Sequence, residues 1–343
     1  MPRPELSAAN NGNKIRLSQP ETIHSGCKIN LYLEITGVLP NGYHSISSLM
    51  LPLCSPFDSM RITQGSAPGI TVQAAGFIDP QNNTLKKAYD LYSASYFAKM
   101  AVDAKSSGHT SPESQSSPAE LSGQNGLCLP DLNVELTKGV PHGAGLGGGS
   151  ADAAALLLFL ERCLEQNGMQ PLGREALMEI AAKVGADVPF FILGKTAWAE
   201  GIGEKLTPVE TPLSGMYLVL VCPDIKVSTP WAYAAFDEMH PTSTRILTSS
   251  GLQATNLPSA DFGLQNLFNS FEEVVFAKHP ELLTIKQKLL EHGAGGALMS
   301  GSGSSLFGIF SREDKAHDAA AAMKKSGLAT FVQAIIAGAS PSW

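Results

Sequence analysis

Between Val140 and Ser150 the chain reads Val-Pro-His-Gly-Ala-Gly-Leu-Gly-Gly-Gly-Ser, five glycines in eleven residues. A strand-like alternation over Leu132–Thr137 precedes this run, and an apolar-rich stretch with helical spacing, 150–165, follows it. Every glycine loses conformational entropy on folding, so a plain turn would use one or two. A helix N-terminus offers free N–H groups and about half a positive charge. Glycines ahead of it let the backbone approach an anion and aim more amides at it. The run therefore predicts a loop and helix built round an anion, with no lysine required. Ser150 reads as the residue that caps the helix.

The rest of the chain narrows the class. With 343 residues and 43% apolar content it can bury two cores, at about 150 residues per domain. Lys and Arg number 24 against 31 Asp and Glu, a net charge of −7. That excludes broad nucleic-acid binding, which relies on basic side chains neutralising phosphates, but not one anionic small molecule held by amides. The apolar runs 153–160 and 216–222 are eight and seven residues long, against ~20 for a membrane-spanning helix, so no membrane partner is expected. Residues 1–19 have no apolar core of the kind a secretory signal needs. Cysteines at 27, 54, 128, 163 and 222 include no Cys-x-x-Cys. A reduced, cytoplasmic protein without a zinc site is the expectation.

Turn signals and periodicity give the organisation. Residues 1–24 read as a polar tail. The segments 27–35 and 46–53, joined across Asn41-Gly42, read as a strand pair. Short strands are expected over Ile70–Ala74 and Leu132–Thr137, and a helix over 84–100. Residues 105–124 lose all periodicity and read as a surface insertion. Helices follow over 150–165 and Arg174–Val184, then a short apolar segment, Val188–Leu193. Strands at 197–199 and 205–209 flank the turn Gly201-x-Gly203, and 211–215 reads as a linker. Beyond it come a strand at 216–221 and helices over 229–238, 267–276 and 281–292. A glycine-serine stretch, 297–310, then runs into a strand before a last helix, 314–325. The non-repeating mixture predicts an α+β protein of two lobes, 25–211 and 212–343.

Two familiar phosphate motifs fail. Gly143-x-Gly145-x-x-Gly148 matches the dinucleotide fingerprint, but Lys138, Gly139 and Pro141 separate it from its strand. Gly168 and Pro171 then lead to another helix rather than to an acid-tipped strand. Gly194-Lys195-Thr196 ends like a P-loop, yet Pro189 stands where the first glycine belongs. Other chemistry-bearing residues stay ambiguous on their own. Asp187, among apolar neighbours after a helix, is either a turn residue or a carboxylate with a cationic partner or a raised pKa. Lys28 opens a strand otherwise full of apolar residues and is either an exposed strand-end lysine or a functional one. Tyr43 and His44 on the Asn-Gly turn either pack on the strand pair or present a stacking face. His24, His109, His240, His279, His292 and His317 show no ligand spacing.

The segment from Pro141 to Ala154 resembles the ATP-binding motif of the GHMP kinases, P-x-x-x-G-L-G-[SG]-[SG]-x-A. Three further segments are similar to signatures of the branch that phosphorylates a cytidine diphosphate-linked methylerythritol in non-mevalonate isoprenoid synthesis. They are Lys28-Ile-Asn-Leu-Tyr-Leu-Glu-Ile-Thr-Gly37 with Asn41-Gly-Tyr-His44; Gly185-Ala-Asp-Val-Pro-Phe-Phe191 with Ala199-Glu-Gly-Ile-Gly-Glu204; and Met299-Ser-Gly-Ser-Gly-Ser-Ser-Leu-Phe307. The segments occur in family order and span 27–310. Asn41 replaces the family's aspartate, which makes the same turn, and 105–124 has no usual counterpart of that length.

The resemblance implies a two-lobed α+β GHMP kinase fold, with a ribosomal-protein-S5-like N-terminal lobe and a ferredoxin-like C-terminal lobe. It implies ATP along Pro141, His142, Gly143, Ala144, Gly145, Leu146, Gly147, Gly148, Gly149, Ser150 and Ala151, with Asn83 at the adenine and Mg²⁺ beside Ser150. Asp187 becomes the catalytic base and Lys28 the lysine that orients the accepting hydroxyl. Asn30 and Thr229 fall on the acceptor, Tyr43 and His44 at its cytidine, and Tyr233 on the base's second face, with Trp231 as competitor. Rivals within the family are kinases of homoserine or mevalonate, whose acceptors carry no base to stack. A non-catalytic nucleotide-binding regulator is the rival of another class, and an intact Lys28/Asp187 pair speaks against it.

Overall fold

The computed structural model describes residues 15–74, 83–106, 129–241 and 262–336. The insertion expected at 105–124 lies, beyond Ser106, outside the described residues.

The first elements described are a long antiparallel pair, β1 (Glu21–Val38) and β2 (His44–Gln64), paired from Glu21↔Ile62 to Val38↔His44 with register shifts at Ser25/Cys27, Asn30/Tyr32 and Ile35/Gly37. Gly42, at φ 82°, makes the turn. β3 (Ile70–Ala74) leads to helix α1 (Thr84–Ser106) and then β4 (Leu132–Thr137). The glycine loop follows, and after it α2 (Gly148–Gln166), α3 (Arg174–Val184) and the short α4 (Val188–Leu193). β5 (Ala197–Gly201) and β6 (Lys205–Pro208) close this half. The sheet order is β3-β4-β2-β1, with β5 paired to the other end of β2. α1, α2, α3 and α4 form one layer, with the Ala- and Leu-rich face of α2 buried on the sheet.

Strand β1 starts at Glu21, inside the segment 1–24 read as a tail. Ile15 and Ile23 are buried in the helix-side core, and Arg162 pairs with Glu21, so the chain is anchored earlier than its polarity suggests.

The second half contains β7 (Tyr217–Cys222), α5 (Thr229–Met239), β8 (Phe268–Asn269), α6 (Glu272–Lys278) and α7 (Pro280–Glu291). β9 (Gly296–Met299), β10 (Leu306–Phe310), α8 (Glu313–Lys325) and β11 (Ala329–Ala334) complete it. Its four-stranded sheet runs β11-β7-β10-β9 with every neighbour antiparallel. Numbered along the half, that is 4-1-3-2 in a β-α-β-β-α-β chain, the ferredoxin-like arrangement.

The helix expected over 267–276 is interrupted. Phe268 and Asn269 instead add a short parallel strand to β1 at Tyr32 and Leu33. The buried Asn269 side chain donates to the carbonyls of Met299 and Gly301 and accepts from the Phe271 amide. Those bonds hold the backbone out of a helix until Glu272.

A shared core joins the halves. Ile29, Leu31, Leu49 and Leu51 on one face of β1–β2 pack with Leu218, Leu220, Phe307 and Ile309 on β7 and β10. Because side chains alternate along a strand, burying Ile29 and Leu31 there turns Lys28 and Asn30 to the opposite face. That face looks at the glycine loop.

Candidate active site

The loop is made of backbone, and both lobes hold it. Gly143, Gly145 and Gly147 all adopt left-handed φ of 69–76°. Leu146 accepts from the Lys28 amide at 2.9 Å. From the other lobe, Ser300 Oγ donates to the Gly145 carbonyl and the Ser305 amide to that of Ala144, at 3.1 and 3.2 Å. A Cβ on Gly145 would stand 2.1 Å from the Ser300 carbonyl, so this position admits nothing larger. Helix α2 begins at Gly148, capped by Gly147 with no side-chain bond. Ser150 is therefore not the cap expected of it but the third residue of the helix. Its hydroxyl sits 3.8 Å from where a Cβ on Gly185 would lie, so it lies beside the Gly185–Asp187 turn, and both border the cleft.

Behind the loop lies a charge cluster that the sequence reading missed. The wholly buried Asp58 accepts from the amides of Gly139 and Val140, at 2.7 and 2.8 Å, and from Lys138. Lys138 also donates to Asp152 at 3.0 Å, and Ser25 donates to Asp152 at 2.5 Å. Burial pushes the Asp152 carboxyl up to about 6; Lys138 opposes this and Asp58 adds to it. For Lys138, burial pulls the pKa down, but the charges of Asp152 and Asp58 outweigh it and the net shift is upward. One ammonium shared by two buried carboxylates accounts for both directions. The cluster fixes the chain where it turns from β4 into the loop.

On the face opposite the shared core, the buried Lys28 donates to Asn30 Oδ1 at 2.7 Å and lies 3.9 Å from Asp187 Oδ2. Asn30 Nδ2 donates to Ser48 Oγ, which donates to the Tyr32 carbonyl, each at 2.7 Å. This relay fixes which way the Asn30 amide points, and so where the Lys28 ammonium stands. Asp187 precedes α4, makes no capping bond and is about one-third exposed (36%), so its carboxylate faces the cleft.

At the far end, Tyr43 projects from the turn, 62% exposed. The His44 ring stacks on Tyr233 at 4.4 Å, and its Nε2 lies 2.8 Å from Asp237 Oδ1. Tyr233 in turn meets Phe271 edge-on at 4.9 Å. Burial, then the charge of Asp187, push the Tyr233 hydroxyl up to about 12. Thr229 Oγ1 shares a hydrogen bond with Ser302 Oγ at 2.8 Å. Trp231 does not line the cleft; Lys278 lies over its ring at 3.8 Å.

These groups line one cleft of about 900 Å³. All the expected site residues border it except Asn83 and Ala151. Asn83 turns its side chain to the Leu85 amide at 2.9 Å, capping α1. Its neighbour Thr84 borders the cleft instead and donates to the Gly149 carbonyl. Ala151 is buried one turn into α2. Lys138, Asp237 and Ser302 border the cleft without having been anticipated. Among the described residues no group of three or more His, Cys, Asp or Glu could hold a metal ion, and no helix is long and apolar enough to cross a membrane.

A glycine loop joined to a helix N-terminus, with a lysine–aspartate pair beside it, is an arrangement for moving a phosphoryl group. The family models "GHMP kinases N terminal domain" and "GHMP kinases C terminal" match residues 119–195 and 256–328. The chain belongs to the GHMP kinase family, a family of ATP-dependent kinases. It is 46% identical over 314 residues, 90% of this chain and 97% of the relative, to a Nitratidesulfovibrio vulgaris (strain Hildenborough) protein named 4-diphosphocytidyl-2-C-methyl-D-erythritol kinase. A Lawsonia intracellularis protein of the same name is 37% identical, covering 91% of this chain and 95% of its own. A solved 4-(cytidine 5'-diphospho)-2C-methyl-D-erythritol kinase superposes with a TM-score of 0.61 at 28% identity, over 91% of this chain and 98% of that one. A homoserine kinase from Cytophaga hutchinsonii shares the fold at 15% identity, with a TM-score of 0.59 over 97% of this chain and 98% of its own.

Proposed function

We propose that this kinase transfers the γ-phosphoryl group of ATP to the 2-hydroxyl of 4-diphosphocytidyl-2-C-methyl-D-erythritol. The observation that carries the reading is a single cleft with a backbone phosphate cradle and the Lys28–Asp187 pair at one end, and His44 and Tyr233 at the other.

The triphosphate lies against the amides of Gly143 to Ser150, where the first N–H groups of α2 have no partner within the helix. Asp187 takes the proton from the accepting hydroxyl. Lys28, set by the Asn30–Ser48 relay, holds the hydroxyl's oxygen and steadies the charge that develops on it. Asn30 also contacts the methylerythritol unit, and Thr229 the acceptor's diphosphate side. The base is held by Tyr43, His44 and Tyr233. Transfer is direct and in line, with no covalent enzyme intermediate.

The residues present suit Mg²⁺. The Ser150 hydroxyl is an oxygen donor on a residue that borders the cleft with Asp187, and a magnesium site of this kind takes few protein ligands, most of its oxygens coming from phosphates and water. Ser150 would hold the ion, which when bound would neutralise charge on the γ-phosphate.

The test is ATP turnover with the diphosphocytidyl acceptor beside homoserine and mevalonate. Transfer to the first alone is expected. Transfer to either of the others, and not to the first, overturns the reading.

A further inference from the structure

The His44 imidazole is held on two sides. Tyr233 covers one face, at 4.4 Å and an interplanar angle of 24°, and is itself braced by Phe271. Nε2 lies 2.8 Å from Asp237 Oδ1, on the third turn of α5 and 193 residues away in the chain. Among the described residues this is the hydrogen bond that engages the His44 and Asp237 side chains; their backbones belong to the β1–β2 ladder and to helix α5. Both residues border the cleft.

An ionised carboxylate only accepts hydrogen bonds. Nε2 must therefore carry the proton that it shares with Asp237, and in a neutral imidazole that leaves Nδ1 as a bare acceptor. Cytosine presents an amino donor at position 4, where uracil presents a carbonyl acceptor. A base whose edge lies in the plane of this ring meets Nδ1 with either a complementary donor or a repelling lone pair.

We propose that Asp237 is a positioning residue that sets nucleobase selectivity. By holding His44 in the Nε2–H form it makes the cleft accept a cytidine-linked acceptor and refuse its uridine-linked counterpart. This rests on the reading that the base lies at this end of the cleft. Asp237 touches neither ATP nor the reacting atoms.

Steady-state kinetics of the full chain at saturating ATP test it, with the methylerythritol acceptor linked to either cytidine or uridine diphosphate. For wild type we expect kcat/KM to favour cytidine by on the order of 10–100-fold, since a polar group left facing a like group is expensive. Asp237→Leu should shrink that ratio about tenfold or more, through KM for the cytidine acceptor, with the KM for ATP unmoved. Asp237→Asn, whose amide oxygen still accepts from Nε2–H, should recover most of the ratio. Nitrogen-15 NMR of the imidazole should show the Nε2–H form in wild type and in Asp237→Asn, and mixed forms in Asp237→Leu.

If Asp237→Leu weakens both acceptors equally and leaves the ratio intact, the residue is merely structural and the inference fails. A wild-type Nδ1–H form also overturns it. If wild type uses neither nucleotide-linked acceptor, it is the reading of the cleft that fails first.

Discussion

The two ends of the cleft are built from different materials. The end we propose for the phosphates is backbone, a loop with three left-handed glycines whose Leu146 carbonyl accepts from β1 and whose Ala144 and Gly145 carbonyls accept from the 300–305 turn of the other lobe. The end we propose for the base is side chains, with Tyr43 exposed at the hairpin turn and His44 beside it meeting Tyr233 and Asp237 on a helix of the second lobe. A backbone cradle recognises any triphosphate and is intolerant of added atoms. A side-chain cradle recognises one acceptor and can be altered residue by residue.

The largest effect should fall where the two ends meet. Asp187→Ala and Lys28→Ala should each lower kcat by about 10²–10⁴-fold, the usual worth of a positioned acid or base, while ATP still binds. Pre-steady-state transfer and a nucleotide-binding titration on the same variants check this. Near-wild-type kcat in both would break the assignment.

Gly145→Ala tests the backbone end. The added methyl meets the Ser300 carbonyl at 2.1 Å, and φ is 76°, so the loop must move away from the second lobe. A loss of more than about 2 kcal/mol in unfolding free energy is expected, together with weakened ATP binding. Denaturant unfolding measures the first and calorimetry the second.

The cluster behind the loop gives a pH signature. The Asp152 carboxyl, at about 6 in the fold against an ordinary 3.8, binds its proton more tightly when folded. Its contribution is therefore present in full below pH ~4 and is lost as pH rises through about 6. Asp152→Asn removes that loss. Relative to wild type it should gain on the order of 2 kcal/mol between pH 4 and pH 7, read from denaturant midpoints across that range. A parallel pair of curves would mean that Lys138 compensates Asp152 fully.

What the sequence made legible divides in the same way. Glycines in a row after a strand point to the proposed phosphate end because such recognition is local to eleven residues. Tyr43 and His44 could be read because they sit side by side on an Asn-Gly turn. Asp237 could not, since its meaning depends on a ring 193 residues away. Asp58 and Lys138 are 80 residues apart, and neither fits a motif. Lys138 looked only like an interruption between strand and loop, although Asp152 in an otherwise apolar helix face was a usable signal. Ser150 was read as a cap because serine favours that position, yet Gly147 takes it by adopting left-handed backbone. The helix expected at 267–276 gave way to the tertiary bonds of Asn269, and no sequence pattern pointed to β11.

The side-chain end should give the smallest effect and the most telling one. Tyr233→Ala removes the ring on which His44 stacks, and with it a contact at the base end expected to be worth about 1–3 kcal/mol, or roughly 5–150-fold. The measurement is kcat/KM for the cytidine diphosphate-linked acceptor against the same methylerythritol phosphate lacking the cytidine monophosphate unit, in wild type and in Tyr233→Ala. The account predicts a wild-type preference for the intact acceptor that shrinks by that factor, with kcat/KM for the truncated one unchanged. An equal loss on both acceptors would contradict it, because Tyr233 would then serve the phosphate end as much as the base.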